Sequence, residues 1–196
     1  MLSLPFALGL TLANLPGFAP YLHADPAQVA AWETRLPEMI GPGRRIGLVW
    51  AGNPRSHSRM LAAVDRRRSL DPRRLAPLAN VPGVRYLSLQ KGGPKAPADF
   101  PLTDAMDEMQ DFADTAALIA NLDLVISVDT AVVHLAAALG KPVWLLDRFD
   151  ACWRWFTGRR DSPWYSGLRL YRQPRPGDWD AVLAEVTRDL GHFAAI

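Results

Sequence analysis

Apolar residues along this chain fall into short runs that alternate with longer repeats of helical spacing. Short runs rich in β-branched and aromatic residues predict strands at 46–50, 84–89, 124–128, 143–146 and 168–171. Apolar positions three to four residues apart predict helices at 25–36, 71–78, 114–122, 130–139 and 178–190. Strands that alternate with helices are typical of βαβ units around a parallel sheet. The pattern therefore predicts an α/β fold, a Rossmann-like parallel sheet with flanking helices.

Capping residues support several of the predicted helix ends. Asp25 and Asp114 are candidate N-cap residues. Asp25 precedes Pro26, which suits the first position of a helix, and Asp114 precedes Thr115. Gly140 lies where a glycine commonly ends a helix. These signals predict where the helical segments begin and end.

Charge and cysteine content exclude several classes of function. The 22 basic and 20 acidic residues nearly cancel, so the chain offers no strong field for nucleic acid. Cys152 is the single cysteine, so one chain can build neither a disulfide framework nor a cysteine-rich zinc site. No Lys or Arg precedes the apolar run 2–12, and no apolar run is long enough to span a bilayer. We expect a cytoplasmic protein without a membrane span.

The strongest candidate site follows the strand predicted at 124–128. In a parallel α/β sheet, ligands bind at the carboxyl ends of strands, where helix N-termini present unpaired N–H groups to anions. Asp129, Thr130 and the small Ala131 lie at such a junction, and His134 follows one helical turn later. An alternative interpretation is that Asp129 and Thr130 only cap the helix, with His134 a partly buried partner.

A second candidate follows the first predicted strand. Gly52 and Asn53 permit a tight turn, and Arg66 and Arg68 could form forked hydrogen bonds with a pyrophosphate. Three adjacent arginines, residues 66–68, cannot all face one way. A solvated basic loop is the alternative interpretation.

Three weaker candidates remain. Lys91 follows the strand 84–89 and could contact a phosphate or ribose, and Phe112 could provide an aromatic wall for a base or pack in the core. An aromatic and arginine-rich run at 153–165 could stack on sugars, or cover an apolar surface meant for a neighbour. We favour the second interpretation for this run.

Six short motifs occur in one order along nearly the whole chain. They are Trp50-x-Gly52-Asn53-Pro54, Asp65-Arg66-x-Arg68-Ser69, Ser88-Leu89-Gln90-Lys91-Gly92, Asp111-Phe112-Ala113-Asp114-Thr115-Ala116, Ser127-Val128-Asp129-Thr130-Ala131 with His134-Leu135-Ala136, and Asp161-Ser162-Pro163-Trp164-Tyr165. This succession resembles the C-terminal region of bacterial glycosyltransferases of family 9, the heptosyltransferase-like enzymes, as found behind tetratricopeptide repeats. Relative to the family pattern, residues 59–64 look like an insertion.

The resemblance implies the donor-binding C-terminal lobe of a GT-B glycosyltransferase. Residues 41–196 are then the Rossmann-like nucleotide-sugar domain, and residues 1–40 are the end of the first lobe, the connection between lobes and a helix. By similarity, Asp129, Thr130 and Ala131 hold the diphosphate or sugar, supported by His134. Lys91 and Phe112 line the nucleoside pocket. The segment that starts at Asn53, with Arg66 and Arg68, contacts the phosphates.

The same resemblance implies the chemistry and the partners. Such enzymes invert the anomeric centre without a bound metal, and use a nucleotide-diphosphate sugar as donor with no further cofactor. The catalytic carboxylate comes from the acceptor lobe, so we expect that the isolated chain lacks this base and needs an acceptor lobe or a tetratricopeptide-repeat partner. A homodimer is a further expectation. The alternatives are a non-catalytic nucleotide-sugar-binding module and a protein-interaction module.

Overall fold

A computed structural model of the chain describes residues 4–15, 20–54 and 58–195. In this part of the chain, six strands form one parallel sheet in the order β3-β2-β1-β4-β5-β6. The strands are β1 (Arg44–Val49), β2 (Val84–Ser88), β3 (Leu102–Asp104), β4 (Leu124–Val128), β5 (Val143–Asp147) and β6 (Leu168–Arg172). This is the strand order of a doubly wound Rossmann sheet, and it confirms the predicted Rossmann-like fold.

Helices cover both faces of the sheet. The α-helices are α1 (Leu4–Ala7), α2 (Pro26–Ile40), α3 (Arg59–Arg68), α4 (Phe112–Ala120), α5 (Ala131–Ala138) and α6 (Trp179–Ala194). Short 3-10 helices span Pro72–Asn80, Met106–Glu108 and Trp153–Trp155. No helix in the described ranges combines the length and apolar character that crossing a bilayer requires.

Two apolar cores lie on opposite faces of the sheet, because neighbouring strand residues point to opposite sides. In β4, Val125 packs with α2, α4 and α5, whereas Leu124 and Ile126 pack with α6 and the 3-10 helix Pro72–Asn80. The continuously buried strands β4 and β5 are typical of a parallel sheet covered on both faces.

The amino-terminal region contacts this core directly. The backbone N–H groups of Tyr21 and Leu22 both donate to the carbonyl of Ala138 at the end of α5. Helix α2 begins at an Asp25 cap, as predicted, and buries Trp32 and Leu36 in the core that α4 and α5 share. The assignment of residues 1–40 to another lobe and its connection stays a prediction.

The structure differs from the predicted elements in several places: the helix predicted at 71–78 is a 3-10 helix, and α2 extends past residue 36 to Ile40. Asp111, not Asp114, caps α4, because its side chain accepts hydrogen bonds from the N–H groups of residues 113 and 114. Residues 59–68 form the helix α3. One interpretation of the arginines in this segment was a solvated basic loop. Strand β3 has three residues and was missed because so short a strand carries no periodic signal.

Gly47 in the central strand β1 has a packing role. A Cβ atom there would lie 2.6 Å from Cδ1 of both Leu122 and Leu89, closer than van der Waals contact allows. The absence of a side chain therefore lets the α4–β4 connection and the end of β2 close over β1.

We expect that Gly47→Ala lowers the free energy of unfolding by about 1–3 kcal/mol, because the added methyl group overpacks the core. The control is Gly191→Ala in α6, where a Cβ would meet nothing within 4 Å. Alanine there should be neutral or stabilising by up to ~1 kcal/mol, through helix propensity. Urea unfolding of the two variants measures both effects, and equal stabilities would contradict the packing role.

Candidate site at the switch point of the sheet

The order of the sheet reverses between β1 and β4, and the carboxyl ends of these two strands lie side by side. Val49 pairs with Ser127 at the last step of their register. The chain leaves β1 toward the face covered by α6, and leaves β4 toward the face covered by α5. Connections that diverge in this way open a crevice at the strand ends, where ligands bind in doubly wound folds.

One guanidinium links the loops that follow the two strands. Arg68, at the end of α3, pairs with Asp65 at 2.8 Å and donates from Nη1 to the Asp129 carbonyl at 3.0 Å. A Cβ on Gly52 would lie 2.2 Å from Nη2 of Arg68, so this guanidinium fits only against a glycine. The loop after β1, the end of α3 and the loop after β4 are thus held together.

The Asp129–Thr130 turn leaves the start of α5 open. Thr130 occupies the N-cap position, but its side chain makes no capping hydrogen bond and lies 3.1 Å from the Ser127 hydroxyl instead. Ala131, the first helical residue, is exposed. Backbone N–H groups in a first turn that lack a side-chain cap are available to an anion, and they carry the positive end of the helix dipole.

His134 lies below this turn in an aromatic setting. Its ring stacks on Trp155, with centroids 5.3 Å apart, and Nδ1 lies 3.1 Å from the Tyr165 hydroxyl. The Tyr165 hydroxyl in turn lies 3.3 Å from that of Tyr21. Burial lowers the pKa of His134, which favours the neutral imidazole. His134 therefore connects the α5 helix to the amino-terminal segment by hydrogen bonds and stacking.

Lys91 and Phe112 line one apolar pocket beside the crevice. The pocket has a volume of about 210 Å³, and its wall also includes Met106, Met109 and, from α5, Val132. Phe112 is 59% exposed, so it does not pack in the core. The ammonium group of Lys91 donates to the backbone carbonyls of Met106 and Met109 at 3.2 and 2.7 Å, which fixes the pocket wall.

Gln90 was not singled out from the sequence, yet it connects the ends of β1 and β2. Its side-chain carbonyl accepts from the backbone N–H groups of Trp50 and Ala51 at 3.1 and 2.9 Å. Nε2 donates to the Gly92 carbonyl at 2.9 Å. Gln90 also lines a second cavity of about 430 Å³, under the loop 92–100, and Lys91 lies between this cavity and the pocket of Phe112 and lines both.

Asp147, at the end of β5, was also missed. Its side chain is fully buried, and Oδ2 accepts from Nε of Arg172 at 2.8 Å. Burial raises the pKa of Asp147 to about 6, although the nearby Arg172 opposes this rise, and the charge of Asp129 adds to it. An apolar strand that ends in a carboxylate was the available signal, but it does not distinguish a buried carboxylate from an exposed one.

The structure brings together most, but not all, of the predicted site residues. Arg68, Asp129, Thr130 and Ala131 meet at the crevice. Asn53 lies in the loop that follows β1 and is exposed. Arg66 lines a different pocket, formed at the ends of β5 and β6. His57, which the sequence places between Asn53 and Arg66 in the second candidate site, lies outside the described residues.

Comparison with known proteins identifies the same region of the chain. Residues 108–146 match the model of glycosyltransferase family 9 (heptosyltransferase). This span contains Phe112, Asp129, Thr130 and His134. The resemblance to glycosyltransferase family 9 is confirmed.

Relatives of known sequence or structure extend the match beyond the family 9 segment. Protein FlbA of Caulobacter vibrioides is 31% identical over 195 residues, which covers 94% of this chain and 31% of FlbA. The structure of E. coli ADP-heptose lps heptosyltransferase II aligns with a TM-score of 0.63 at 15% identity, over 92% of this chain and 55% of that one. A family 9 glycosyl transferase from Veillonella parvula aligns with a TM-score of 0.51 at 13% identity, over 86% and 45%. The chain thus spans about a third to a half of these proteins, and the two structures confirm the fold.

No group of three or more His, Cys, Asp or Glu side chains within the described ranges is arranged to hold a metal ion.

The buried carboxylate of Asp147 predicts a pH-dependent stability. Between about pH 4 and pH 6, native Asp147 retains a proton that the unfolded chain has lost, so its contribution to the free energy of unfolding falls as pH rises through this window. We expect the stability of the wild type relative to Asp147→Asn to fall by about 1–3 kcal/mol between pH 4 and pH 7.

Urea unfolding across this pH range measures the difference. Asp161→Asn is the control of opposite sign, because hydrogen bonding to Arg159 lowers the pKa of the exposed Asp161. For this control, the wild type should gain stability relative to the variant as pH rises below about pH 4, so the series is extended to about pH 2. A pH-independent difference for Asp147→Asn would contradict the prediction.

Proposed function

We propose that this chain is the donor-binding lobe of a GT-B glycosyltransferase and binds a nucleotide-diphosphate sugar at the crevice between β1 and β4. The observation that carries this proposal is the uncapped start of α5 next to Arg68. A helix N-terminus and a guanidinium at one strand end form an anion site of the kind that binds diphosphates. The family 9 match of residues 108–146 supports a sugar nucleotide as the ligand that contains this diphosphate.

The electrostatics of the crevice assign parts of the ligand to different groups. The backbone N–H groups at Ala131 and Val132 face the diphosphate, because they carry the partial positive charge of α5. Arg68 uses three of its five N–H groups on Asp65 and Asp129, and the remaining two can reach phosphate oxygens. The Asp129 carboxylate, which would repel phosphate, is suited to accept hydrogen bonds from sugar hydroxyls.

The nucleoside fits the apolar pocket beside Phe112. Val132 belongs both to the first turn of α5 and to the wall of this pocket, so a base and a diphosphate can be bound at once by one ligand. The exposed ring of Phe112 can stack on the base, and Met106 and Met109 can pack against its other side. Lys91 holds this wall in place through its two carbonyl contacts.

The proposed reaction inverts the anomeric centre without a metal ion. An acceptor hydroxyl attacks the anomeric carbon as the bond to the diphosphate breaks, and the hydroxyl proton passes to a carboxylate of an acceptor lobe. The start of α5 and Arg68 stabilise the charge that develops on the leaving diphosphate, as fixed dipoles and cations do in other transfer enzymes. The acceptor lobe would come from another part of the polypeptide or from a partner chain, such as a tetratricopeptide-repeat protein.

We also propose a cytoplasmic location. Cys152 is a free thiol, as a reducing compartment permits, and sugar nucleotides would be available there. Cell fractionation followed by immunodetection tests this, and light scattering tests the proposed homodimer.

The central test is calorimetric titration with a panel of UDP-, ADP- and GDP-sugars, comparing wild type with Ala131→Asp. An aspartate at the first position of α5 favours the helix itself but repels a diphosphate, so lost binding cannot reflect unfolding. We expect at least about tenfold weaker binding, equivalent to ~1.4 kcal/mol. Asp129→Ala is expected to weaken the binding of sugar nucleotides more than the binding of the corresponding nucleoside diphosphates.

Ala27→Asp, at the exposed start of α2, is the matched control and should bind like wild type. If no member of the panel binds the wild-type protein, the donor-binding proposal is wrong and the interaction-module interpretation stands. Binding without transfer, after an acceptor lobe has been added, favours the non-catalytic binding module.

The variant Phe112→Ala tests recognition of the base separately from recognition of the diphosphate. We expect roughly 5- to 20-fold weaker binding of the sugar nucleotide and a similar loss for the nucleoside monophosphate, because stacking on the base contributes about 1–2 kcal/mol. Phe6→Ala is the matched control, since Phe6 of α1 is likewise an exposed ring, at 90%, and belongs to neither proposed site. Equal effects of the two variants in the same titration would argue against Phe112 as the base-stacking residue.

A further inference from the structure

A third cavity at the carboxyl edge of the sheet lies apart from the crevice. It has a volume of about 530 Å³ and lies at the ends of β5 and β6, next to the end of α3 and the start of α6. Arg66, Arg67 and Arg148 line it, together with Asp150 and Gln173. We call this cavity the arginine pocket. None of these residues takes part in the proposed donor site, although the sequence had grouped Arg66 with Arg68.

The last turn of α3 sends its arginines in two directions. Arg68 turns toward Asp65 and the Asp129 carbonyl, whereas Arg66 and Arg67 line the arginine pocket. Adjacent residues on a helix project about 100° apart, so three consecutive arginines have to divide between sites. The helix therefore presents cations to two separate places at the same edge of the sheet.

Positive charge in the arginine pocket exceeds the negative charge that faces it. Three arginines meet one carboxylate, that of Asp150, whose two oxygens lie 3.3 Å from Nε of Arg67 and 3.4 Å from Nε of Arg148. These distances exceed those of strong charge-assisted hydrogen bonds, about 2.7–2.9 Å. In the described part of the chain, Arg66 has no ion-pair partner.

Two buried donors at this pocket have no acceptor. The side-chain carbonyl of Gln173 accepts from the backbone N–H groups of Phe149 and Gly177 at 3.2 and 3.0 Å, which orients the amide and leaves Nε2 as the unused donor. Neither Gln173 Nε2 nor Nη1 of Arg148 has a hydrogen-bond partner among the described residues, although both atoms are buried. A buried donor without an acceptor is costly, so both favour an oxygen-rich ligand.

We infer that the arginine pocket is a second anion site, which binds the phosphate group of an organic phosphate. Guanidinium forks and an amide donor match the oxygens of a phosphate, and the surplus of cations matches its charge. The cavity is larger than a phosphate, and the half-exposed ring of Phe149 at its wall offers an apolar surface to the group that carries the phosphate. This inference does not depend on the proposed donor site.

Titration of the full chain with inorganic phosphate and with glucose 6-phosphate, at constant ionic strength, tests the inference by calorimetry or NMR. We expect Arg66→Gln and Arg148→Gln each to weaken phosphate binding about fivefold or more. Asp150→Asn should tighten it about three- to tenfold, because the carboxylate no longer competes for Arg67 and Arg148. A purely structural role of these residues does not produce changes of opposite sign.

Two controls separate this site from the crevice. Ala131→Asp, which blocks the proposed donor site, should leave phosphate binding to the arginine pocket unchanged, as should Arg73→Gln at the surface. Phosphate binding that is lost in Ala131→Asp but retained in Arg66→Gln and Arg148→Gln would overturn the inference, as would absence of binding by the wild type. A failure of sugar-nucleotide binding alone leaves this result intact.

The two probes identify the source of the phosphate. Tighter binding of glucose 6-phosphate that depends on Phe149 supports a phosphorylated sugar as the ligand. Equal binding of both probes supports recognition of the phosphate group alone. Binding of neither probe overturns the inference.

Discussion

The reversal of strand order between β1 and β4 is the constraint on which the rest of the structure depends. The connections that follow two such neighbouring parallel strands run to opposite faces of the sheet. Neither connection covers the strand ends, so a crevice remains there. The crevice contains the positive end of α5 and the guanidinium of Arg68. The anion site that we propose at this place follows from topology first and from side chains second.

The contacts around Arg68 show how the loops at this crevice are held. Asp65, Gly52 and the Asp129 carbonyl surround one guanidinium, and the Ser69 hydroxyl accepts a hydrogen bond from the Gly52 N–H group at 3.0 Å. An ion pair with a partly buried arginine and a nearly buried aspartate is screened less than a surface pair. The same arginine can therefore position the loops and still have donors left for a ligand.

Burial at the carboxyl edge separates the roles of similar residues. Asp147 is enclosed and paired with Arg172, whereas Asp129 lies at the crevice and accepts through its carbonyl. Trp155 is fully buried under His134, while Trp153 is 58% exposed. The aromatic run is thus partly core and partly surface, and neither interpretation of it as one unit was complete.

Much of the fold was determined by the sequence alone. The spacing of apolar residues predicted five of the strands, because this signal is local. Together with caps such as Asp25 and the order of the motifs, it also predicted the Rossmann-like fold. The positions of Asp129 and Thr130 at a strand end were also local information, as was the impossibility of aiming residues 66–68 in one direction.

Only the tertiary structure decided which of these residues meet. Arg66 and Arg68 are two residues apart, yet Arg66 lines the arginine pocket whereas Arg68 contacts the Asp129 carbonyl at the crevice, because the tertiary structure sets the orientation of α3. Lys91 bonds to carbonyls that follow it by more than ten residues, and Phe112 is exposed although its sequence suits a core. Non-local contacts of this kind, and the burial that raises the pKa of Asp147, leave no periodic trace in the chain.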